Sequence, residues 1–523
     1  MAKQETKAPV TMAERIAELT TKRETIHAMG GKAGIDKQHA AGKLSARERL
    51  ALLTDQGSFQ EMFAFARHRC TYFGMGDKEI PADGVVTGSG TINGKLIHVA
   101  SQDFTSAGGA TGEVHAEKIC EMMRCSLKTG SPMIYINDSG GARIQEGIDS
   151  LAGYGRIFYH NTLLSGVVPQ IACICGPCAG GAAYSPALMD FIIQTKSSQM
   201  FITGPSVIKQ VTGEDISAET LGGPEAQMTF SGVVHFIADD DQHAMELCQK
   251  LLSFLPSNNM EAPPIREYKD TVTDNPALNE ILPDNPRSAY DMHDLIKGIV
   301  DHGDFLEVQE TFAPNALIGF ARITGRPVGI VANQPKVMAG CLDINASDKI
   351  SRFVRFCNAF NMPIVTLVDT PGFMPGVQQE YGGIIRHGAK MLFSYSASTV
   401  PKISIIVRKA YGGAYLAMNA KDLGTDRAAA WPTAEIAVMG AEGAASVVFR
   451  KEIQSAEDPK AKAAELVSKY RETFSTPYMA ASRRLVDDVI EPASTRRYIA
   501  MSLEYLQNKR EMRPSKKHGL IPL

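Results

Sequence analysis

Short apolar runs rich in β-formers mark the chain at 97–102, 133–137, 170–175 and 200–203, and again at 328–332, 364–368, 403–407 and 436–439. Their apolar residues run continuously instead of alternating with polar ones. That pattern predicts strands buried on both faces of a sheet. Stretches of helical character lie between them, among them "EVHAEKICEMMRCSLKTG" (113–130) and "ASDKISRFVRFCNAFN" (346–361). Each precedes a strand that starts near a proline, and the first ends in glycine, a helix stop. Residues 1–85 read as a largely helical, polar appendage. Residues 257–288 are rich in Pro, Asn and Asp and read as a linker or surface excursion. The last ten residues form a basic tail with an apolar end, suited to docking on a neighbour.

The two series of runs are copies. "NGKLIHVASQD" (93–103) matches "TGRPVGIVANQ" (324–334), and "SPMIYINDSGG" (131–141) matches "MPIVTLVDTPG" (362–372), both at an offset of 231. Pro169 matches Pro401, and Gly180-Gly181 match Gly412-Gly413, at 232. The repeat is a whole domain long, so it is a tandem duplication of one fold and not a solenoid. The expected division is 1–256, a linker at 257–288, and 289–523.

Composition narrows the partners. The chain has 523 residues, 44% hydrophobic and 21% charged, with a formal net charge of -3. This is ordinary globular composition with no electrostatic footprint for nucleic acid. No run approaches the ~18 apolar residues of a membrane span. The first residues carry early charge, including Glu5 and Glu14, without an apolar segment, so neither a secretory signal nor a transit peptide is expected. Nine cysteines in a chain of this length do not form a disulfide framework, and a reducing cytoplasm is the expected home.

The candidate chemistry sits at glycine-rich strand ends. "GPCAGGAAYSPAL" (176–188) and "RKAYGGAYLAM" (408–418) each read as a strand handing over to a helix through two glycines. Without Cβ atoms the chain can approach a ligand closely, with backbone N–H groups and a helix start facing it. "NDSGGAR" (137–143) and "VDTPGFM" (368–374) also follow strands and place glycines at loop tips. One N–H from each kind of loop makes a two-donor hole for a developing oxyanion, and two halves give two holes. Packing alone also places glycines at such turns, and shared ancestry alone would repeat them.

Longer strings carry a specific resemblance. "DSGGARIQEGIDSLAGYG" (138–155), "MFITGPSVIKQVTGEDI" (200–216), "NQPKVMAGCLDINASDK" (333–349), "QEYGGIIRHGAKML" (379–392) and "WPTAEIAVMGAEGAA" (431–445) join the two Gly-Gly segments in this. From about residue 12 to the terminal "KKHGLIPL", the chain resembles the carboxyltransferase subunits of biotin-dependent enzymes. These include propionyl-CoA carboxylase β chains, methylmalonyl-CoA decarboxylase α subunits and the core subunit of methylmalonyl-CoA:pyruvate transcarboxylase. The resemblance implies an α/β chain of two tandem crotonase-like (ββα-spiral) domains, assembled as a homo-hexamer. It implies an active site between the first domain of one protomer and the second of its partner. Gly141, Ala142, Gly181 and Ala182 would hold the thioester carbonyl of an acyl-CoA as it becomes an enolate. Gly372, Phe373, Gly413 and Ala414 would hold the ureido oxygen of biotin. Biotin nitrogen takes the α-proton in that family, which agrees with the lack of a His/Asp pairing near these loops. No metal is implied.

Leu416, in "AYLAM", stands where propionyl-CoA carboxylases often have Asp, and resembles the decarboxylase and transcarboxylase branches. It is the candidate specificity residue, while acetyl-CoA as acceptor and simple packing of the pocket floor remain open. "FLPSNNMEAP" (254–263) and "HRCTYFGM" (68–75) point to the same branches. The chain has no Met-Lys-Met biotinylation site, so biotin is expected on another chain, a biotin carboxyl carrier. It has no GxxxxGK[ST] either, so no ATP site is visible by that motif. Further expected partners are a biotin carboxylase, membrane decarboxylase subunits that would bring the chain to a membrane, or a pyruvate-handling subunit.

Rival readings exist. "GPCAG" (176–180) fits a cysteine version of a nucleophile elbow, with Cys178 as nucleophile, but its match in the second copy is Ala410. Cys173, Cys175 and Cys178 alternate faces of one strand and lack a fourth ligand for a metal. Arg67-His68-Arg69 and Arg386-His387 are candidate CoA-phosphate contacts, or else solvated or salt-bridged surface charge. A non-catalytic crotonase-like scaffold would be expected to lose the loop glycines in one half, and a single-substrate crotonase offers no reason for a second hole.

Overall fold

The computed structural model describes residues 10–523. The reading of the extreme start, Glu5 included, therefore lies outside the described residues. The chain divides into two compact units: residues up to Gln227 with Phe236–Lys250, and Met228–His235 with Leu251–Leu523.

The first unit is built on one sheet of strands β1 (Gln60–Met62), β2 (Val85–Ile92), β3 (Lys95–Gln102), β4 (Met133–Ser139), β5 (Gln170–Ala179), β6 (Phe191–Thr195), β7 (Gln199–Phe201) and β8 (Phe236–Ala238). Their order is β1-β2-β3-β4-β5-β6-β8, with β7 paired to the far end of β5. The pairings β1–β2 and β2–β3 are antiparallel, and every other pairing is parallel. The helix Glu113–Thr129 connects β3 to β4, and Ile148–Leu164 connects β4 to β5. These two helices pack on each other over the sheet.

The second unit repeats the plan. Its strands are β9 (Phe305–Glu307), β10 (Ala316–Ile323), β11 (Arg326–Asn333), β12 (Ile364–Thr370), β13 (Lys402–Tyr411), β14 (Arg427–Ala430), β15 (Glu435–Ala437) and β16 (Asp488–Val489). They run β9-β10-β11-β12-β13-β14-β16, with β15 on the end of β13. Helices Ile344–Ala359 and Ile384–Ala397 take the crossover positions.

The predicted runs all fall on strands, and continuous burial is what the parallel centre shows: all seven residues of β4 and all seven of β12 are buried. The pattern missed β2, β6, β10 and β14 and the short edge strands β1, β8, β9 and β16. Glycines interrupt β2 and β10, "VVTGSGTI" and "ALIGFARI", and β14 is a short "RAAA" with little β-signal. The runs at 200–203 and 436–439 keep only three-residue strands.

Residues 257–288 run along the second unit. Leu278 enters its core, 2% exposed, Asn275 N–H donates to Ala493 O (2.8 Å), and Asp274 pairs with Arg497 (2.7 Å). The basic tail also lies on its own unit. Arg513 donates to Ser396 O (2.8 Å), and the terminal Leu523 O accepts from Arg386 (3.2 Å).

Candidate active site

Parallel strands end together, and here two adjacent ends are offset by an irregularity. On β4 and β5 the register steps from Asn137↔Ile174 to Ser139↔Cys178, two residues on one strand against four on the other. On β12 and β13 it steps from Val368↔Ile406 to Thr370↔Ala410. The residue at each step is an aspartate, Asp138 or Asp369, and the loop after it carries the glycines singled out above.

In the first unit Gly141 has φ +98°, and its N–H donates to Ser139 Oγ (3.1 Å). Its carbonyl accepts from Thr111 N (2.9 Å), while Arg143 N donates to Thr111 O (2.9 Å). These bonds clamp both sides of Ala142 and leave its own N–H without an acceptor among the described residues; the residue is exposed. The second unit repeats this. Gly372 (φ +150°) donates to Thr370 Oγ1 (3.4 Å), Leu342 N donates to Gly372 O (3.1 Å) and Met374 N to Leu342 O (2.8 Å). Phe373 is left in the position of Ala142. The free donors are thus Ala142 and Phe373, while the Gly141 and Gly372 amides are engaged within their own loops.

The partner loops follow β5 and β13. Gly180 (φ +63°) opens the 3-10 turn Gly180–Ala183, and Gly412 (φ +59°) opens the helix Gly412–Ala417. Gly181 and Ala182, and Gly413 and Ala414, lie in these first turns, where N–H groups lack the intrahelical acceptors of later turns. The loops of each pair are neighbours. A Cβ on Gly141 would sit 3.2 Å from Ala179 O, and one on Gly413 3.8 Å from the Phe373 ring. The ring of Tyr154 lies 3.4 Å from a Cβ placed on Gly181, so this side of the first turn is walled. One turn further on, Tyr184 (49% exposed) and Leu416 (40% exposed) occupy matched positions.

Buried ions support the first loop. Arg143 donates to Asp83 Oδ1 (2.6 Å) and Glu146 Oε1 (2.7 Å), and Glu146 accepts the Glu113 N–H (2.6 Å). Burial raises the Asp83 carboxyl above its ordinary range, partly offset by the Arg143 charge. Met374 takes the place of Arg143 in the second unit. Sequence reasoning missed this network, because nothing in spacing ties Asp83 to Arg143.

The family models match a carboxyl transferase domain over residues 37–521. The chain belongs to the carboxyl transferase family. It is 59% identical over 512 residues to the methylmalonyl-CoA carboxyltransferase 12S subunit of Propionibacterium freudenreichii subsp. shermanii, covering 98% of both chains. It is 57% identical to the methylmalonyl-CoA decarboxylase α subunit of Veillonella parvula (98% and 100% covered). With the propionyl-CoA carboxylase β chain of Roseobacter denitrificans the identity is 52% (98% and 100%). A crystal structure of transcarboxylase 12S, a hexamer assembly with methylmalonyl-coenzyme A and methylmalonic acid bound, superposes with a TM-score of 0.97 at 58% identity, covering 99% and 100%. The duplicated α/β fold is therefore that of the transcarboxylase 12S structure, consistent with the crotonase-like tandem that the resemblance implied, and the chain is a carboxyltransferase.

Within this family member the rival chemistries lose ground. Cys178 is 1% exposed, and burial pushes its thiol up to about 12, so it holds its proton and fills space as a small apolar group. Cys173 and Cys248 are both fully buried, and the neighbouring Cys248 and burial raise the Cys173 thiol well above its ordinary range. Arg67 pairs with Glu79 (2.7 Å), Arg69 with Glu117 (3.1 Å), and His68 meets Lys78 O (2.7 Å). These three residues, with Lys22 and Lys78, line a cavity of about 520 Å³ in the first unit. His387 bonds Asp348 (2.8 Å). No helix of the described residues is long and apolar enough to cross a membrane.

Proposed function

We propose that the chain moves a carboxyl group between biotin and the α-carbon of a short acyl-CoA, with propionyl-CoA and methylmalonyl-CoA as the favoured pair. The observation that carries this is the matched pair of amide sites. In each unit one loop N–H, of Ala142 or Phe373, is clamped on both sides and left unbonded, beside the open first turn that follows Gly180 or Gly412.

In the first unit, Ala142 and Gly181, framed by Gly141 and Ala182, receive the thioester oxygen. When the bond from the α-carbon to the carboxyl group breaks, its electron pair moves into the thioester and the oxygen becomes an enolate anion. Neutral N–H donors held in place stabilise that charge without reorganising, and loss of one such donor costs roughly 10²–10³ in rate. In the second unit, Phe373 and Gly413, framed by Gly372 and Ala414, offer neutral donors that suit the oxygen of a ureido group. A Cβ on Gly372 would meet nothing within 4 Å, so the approach to this loop is open. Biotin, delivered on a separate carrier chain, supplies the ureido nitrogen that accepts or gives up the carboxyl group and exchanges the α-proton. The chain's own residues then need no side-chain base.

Identity of 59% and 57% with the transcarboxylase and decarboxylase relatives, against 52% with the propionyl-CoA carboxylase, supports the same branch as Leu416. Leu416, 40% exposed one turn beyond Gly412, is the residue proposed to set acyl specificity. Assembly as a homo-hexamer is proposed by likeness to the transcarboxylase 12S structure.

The test uses the purified chain, methylmalonyl-CoA and free biotin. Gly181→Val and Gly413→Val should each abolish carboxyl transfer while the assembly stays intact. Unaltered transfer in both variants overturns the site. Chains that co-purify from the native host fix the direction: a biotin carboxylase means ATP-driven synthesis, a membrane decarboxylase subunit means decarboxylation, and a pyruvate-handling subunit means transcarboxylation.

A further inference from the structure

Asp138 and Asp369 sit at matched positions, each where two strands lose register just before a donor loop. Both are buried, at 0% and 1% exposure. A buried carboxylate needs a cation or several donors. The two units meet this need with residues that do not correspond.

In the first unit the cations come from the N-terminal segment. Lys43 Nζ (2.8 Å), Arg49 Nη2 (2.9 Å) and Gln38 Nε2 (3.1 Å) all donate to Asp138. Arg49 also donates to Cys175 O (3.2 Å) on β5 and through Nε to Asp241 (2.8 Å). In the second unit the cation comes from the neighbouring strand. Arg408 Nε (3.0 Å) and the Lys409 N–H (3.0 Å) donate to Asp369, and Arg408 Nη1 donates to Ser288 O (2.8 Å). The first-unit counterpart of Arg408 is Gly176. A Cβ there would fall 1.9 Å from Asp138 Oδ1 and 2.7 Å from Lys43 Nζ. The space that one unit fills with an in-strand arginine, the other fills with a lysine and an arginine reaching in from far along the chain. Ancestry explains a repeated aspartate. It does not explain why a different cation was recruited to meet it.

We infer that Asp138 and Asp369 are positioning residues, each fixing the register step that aims one donor loop, Asp138 for the acyl-CoA side and Asp369 for the biotin side. The carboxylate joins both strands at the step: Asp369 Oδ1 accepts the Lys409 N–H of β13, and Arg49 links Asp138 to Cys175 O of β5. With that tie gone, the strand ends relax and Ala142 or Phe373 loses its place. A displacement of ~1 Å in such a site costs on the order of 10²-fold in rate. The assignment of sides rests on the function proposed above.

The test compares Asp138→Asn, Asp369→Asn, Arg408→Lys and Arg408→Met in the full chain. Amide hydrogen exchange is followed at Arg143 and Met374, whose N–H groups close the two loops. Steady-state transfer is measured with methylmalonyl-CoA and free biotin varied in turn. Each asparagine variant should lower kcat on the order of 10²-fold. Asp138→Asn should also speed exchange at Arg143 alone and raise KM for methylmalonyl-CoA about 10-fold or more. Asp369→Asn should speed exchange at Met374 alone and raise KM for biotin instead. Arg408→Lys should keep most of the transfer that Arg408→Met loses. Unchanged exchange and kinetics in folded Asp369→Asn, an equal response of both loops to either change, or full activity in Arg408→Met overturns the inference. If Asp138→Asn does not fold, the Asp369 and Arg408 variants decide. If the unaltered chain transfers no carboxyl group, the function fails, while the exchange pattern still decides whether the aspartates hold the loops.

Discussion

Replacing Gly340 by alanine should injure the loop that carries Phe373 from behind. Gly340 has φ +78°, and an added Cβ would lie 2.4 Å from Asp369 O, where side-chain carbons essentially never come within 3.0 Å. The carbonyl must therefore retreat by about 0.6 Å or more, and the left-handed backbone adds its own cost of about 1–2 kcal/mol for a residue with Cβ. Overpacking adds about 1–3 kcal/mol, for a total near 2–5 kcal/mol. Asp369 is the residue at the register step, so its retreat carries Thr370, Gly372 and Phe373 with it. The expected outcome is a fall in carboxyl transfer of about 10²-fold per folded molecule. Gly325→Ala is the control. Its φ is +74° and its Cβ would lie 2.0 Å from Arg266 O, a clash of the same kind. It sits in the turn before β11, whose eight residues place it about 25 Å from the strand end that bears the site. Urea unfolding measures the stability loss of both, and transfer from methylmalonyl-CoA to free biotin measures activity. If both variants lose stability but keep the same rate per folded molecule, the coupling from Asp369 to the donor loop is refuted.

Three further outcomes are expected. Cys178→Ala should cost about 1 kcal/mol of stability and leave transfer within a few-fold of the parent; a loss beyond 10-fold would make the thiol a participant. His293 bonds Glu307 (2.8 Å) and Asp291 (2.7 Å), which raise it to about 9. A pKa raised on folding stabilises fully below about pH 6.5 and is lost as pH climbs through 9, so the parent's advantage over His293→Gln, about 1–2 kcal/mol after allowing for partial exposure, should vanish by pH 10 in parallel thermal melts. Trp431 is fully buried in the second unit's core and donates to Thr495 Oγ1 (2.9 Å). Trp431→Phe should lower the unfolding midpoint by the equivalent of about 1–3 kcal/mol, and an unchanged midpoint would show that this core is not limiting.

Much of this protein was legible as text. The recurrence of "NDSGG" and "VDTPG", and of the two Gly-Gly segments, at constant offsets located both pairs of loops. The apolar runs located the strands that end at them. What stayed hidden was long-range. Lys43 and Arg49 gave no sign that they complete a carboxylate at Asp138, since charged residues in a polar helical segment read as surface. Gly176 and Arg408 align in sequence, but only the packing of β4 on β5 and of β12 on β13 shows that the glycine leaves room for Lys43 beside Asp138 while the arginine itself meets Asp369.

The sequence by itself determined the duplicated architecture, the parallel centre of each sheet and the addresses of the candidate donors, because periodicity and glycine placement are local properties that survive in one dimension. Only the tertiary structure decided which amides are free. Gly141 and Gly372 spend their N–H groups on Ser139 and Thr370, and Ala142 and Phe373 keep theirs. A hydrogen bond is settled by which acceptor comes within reach after folding, and that competition is not written in the order of residues.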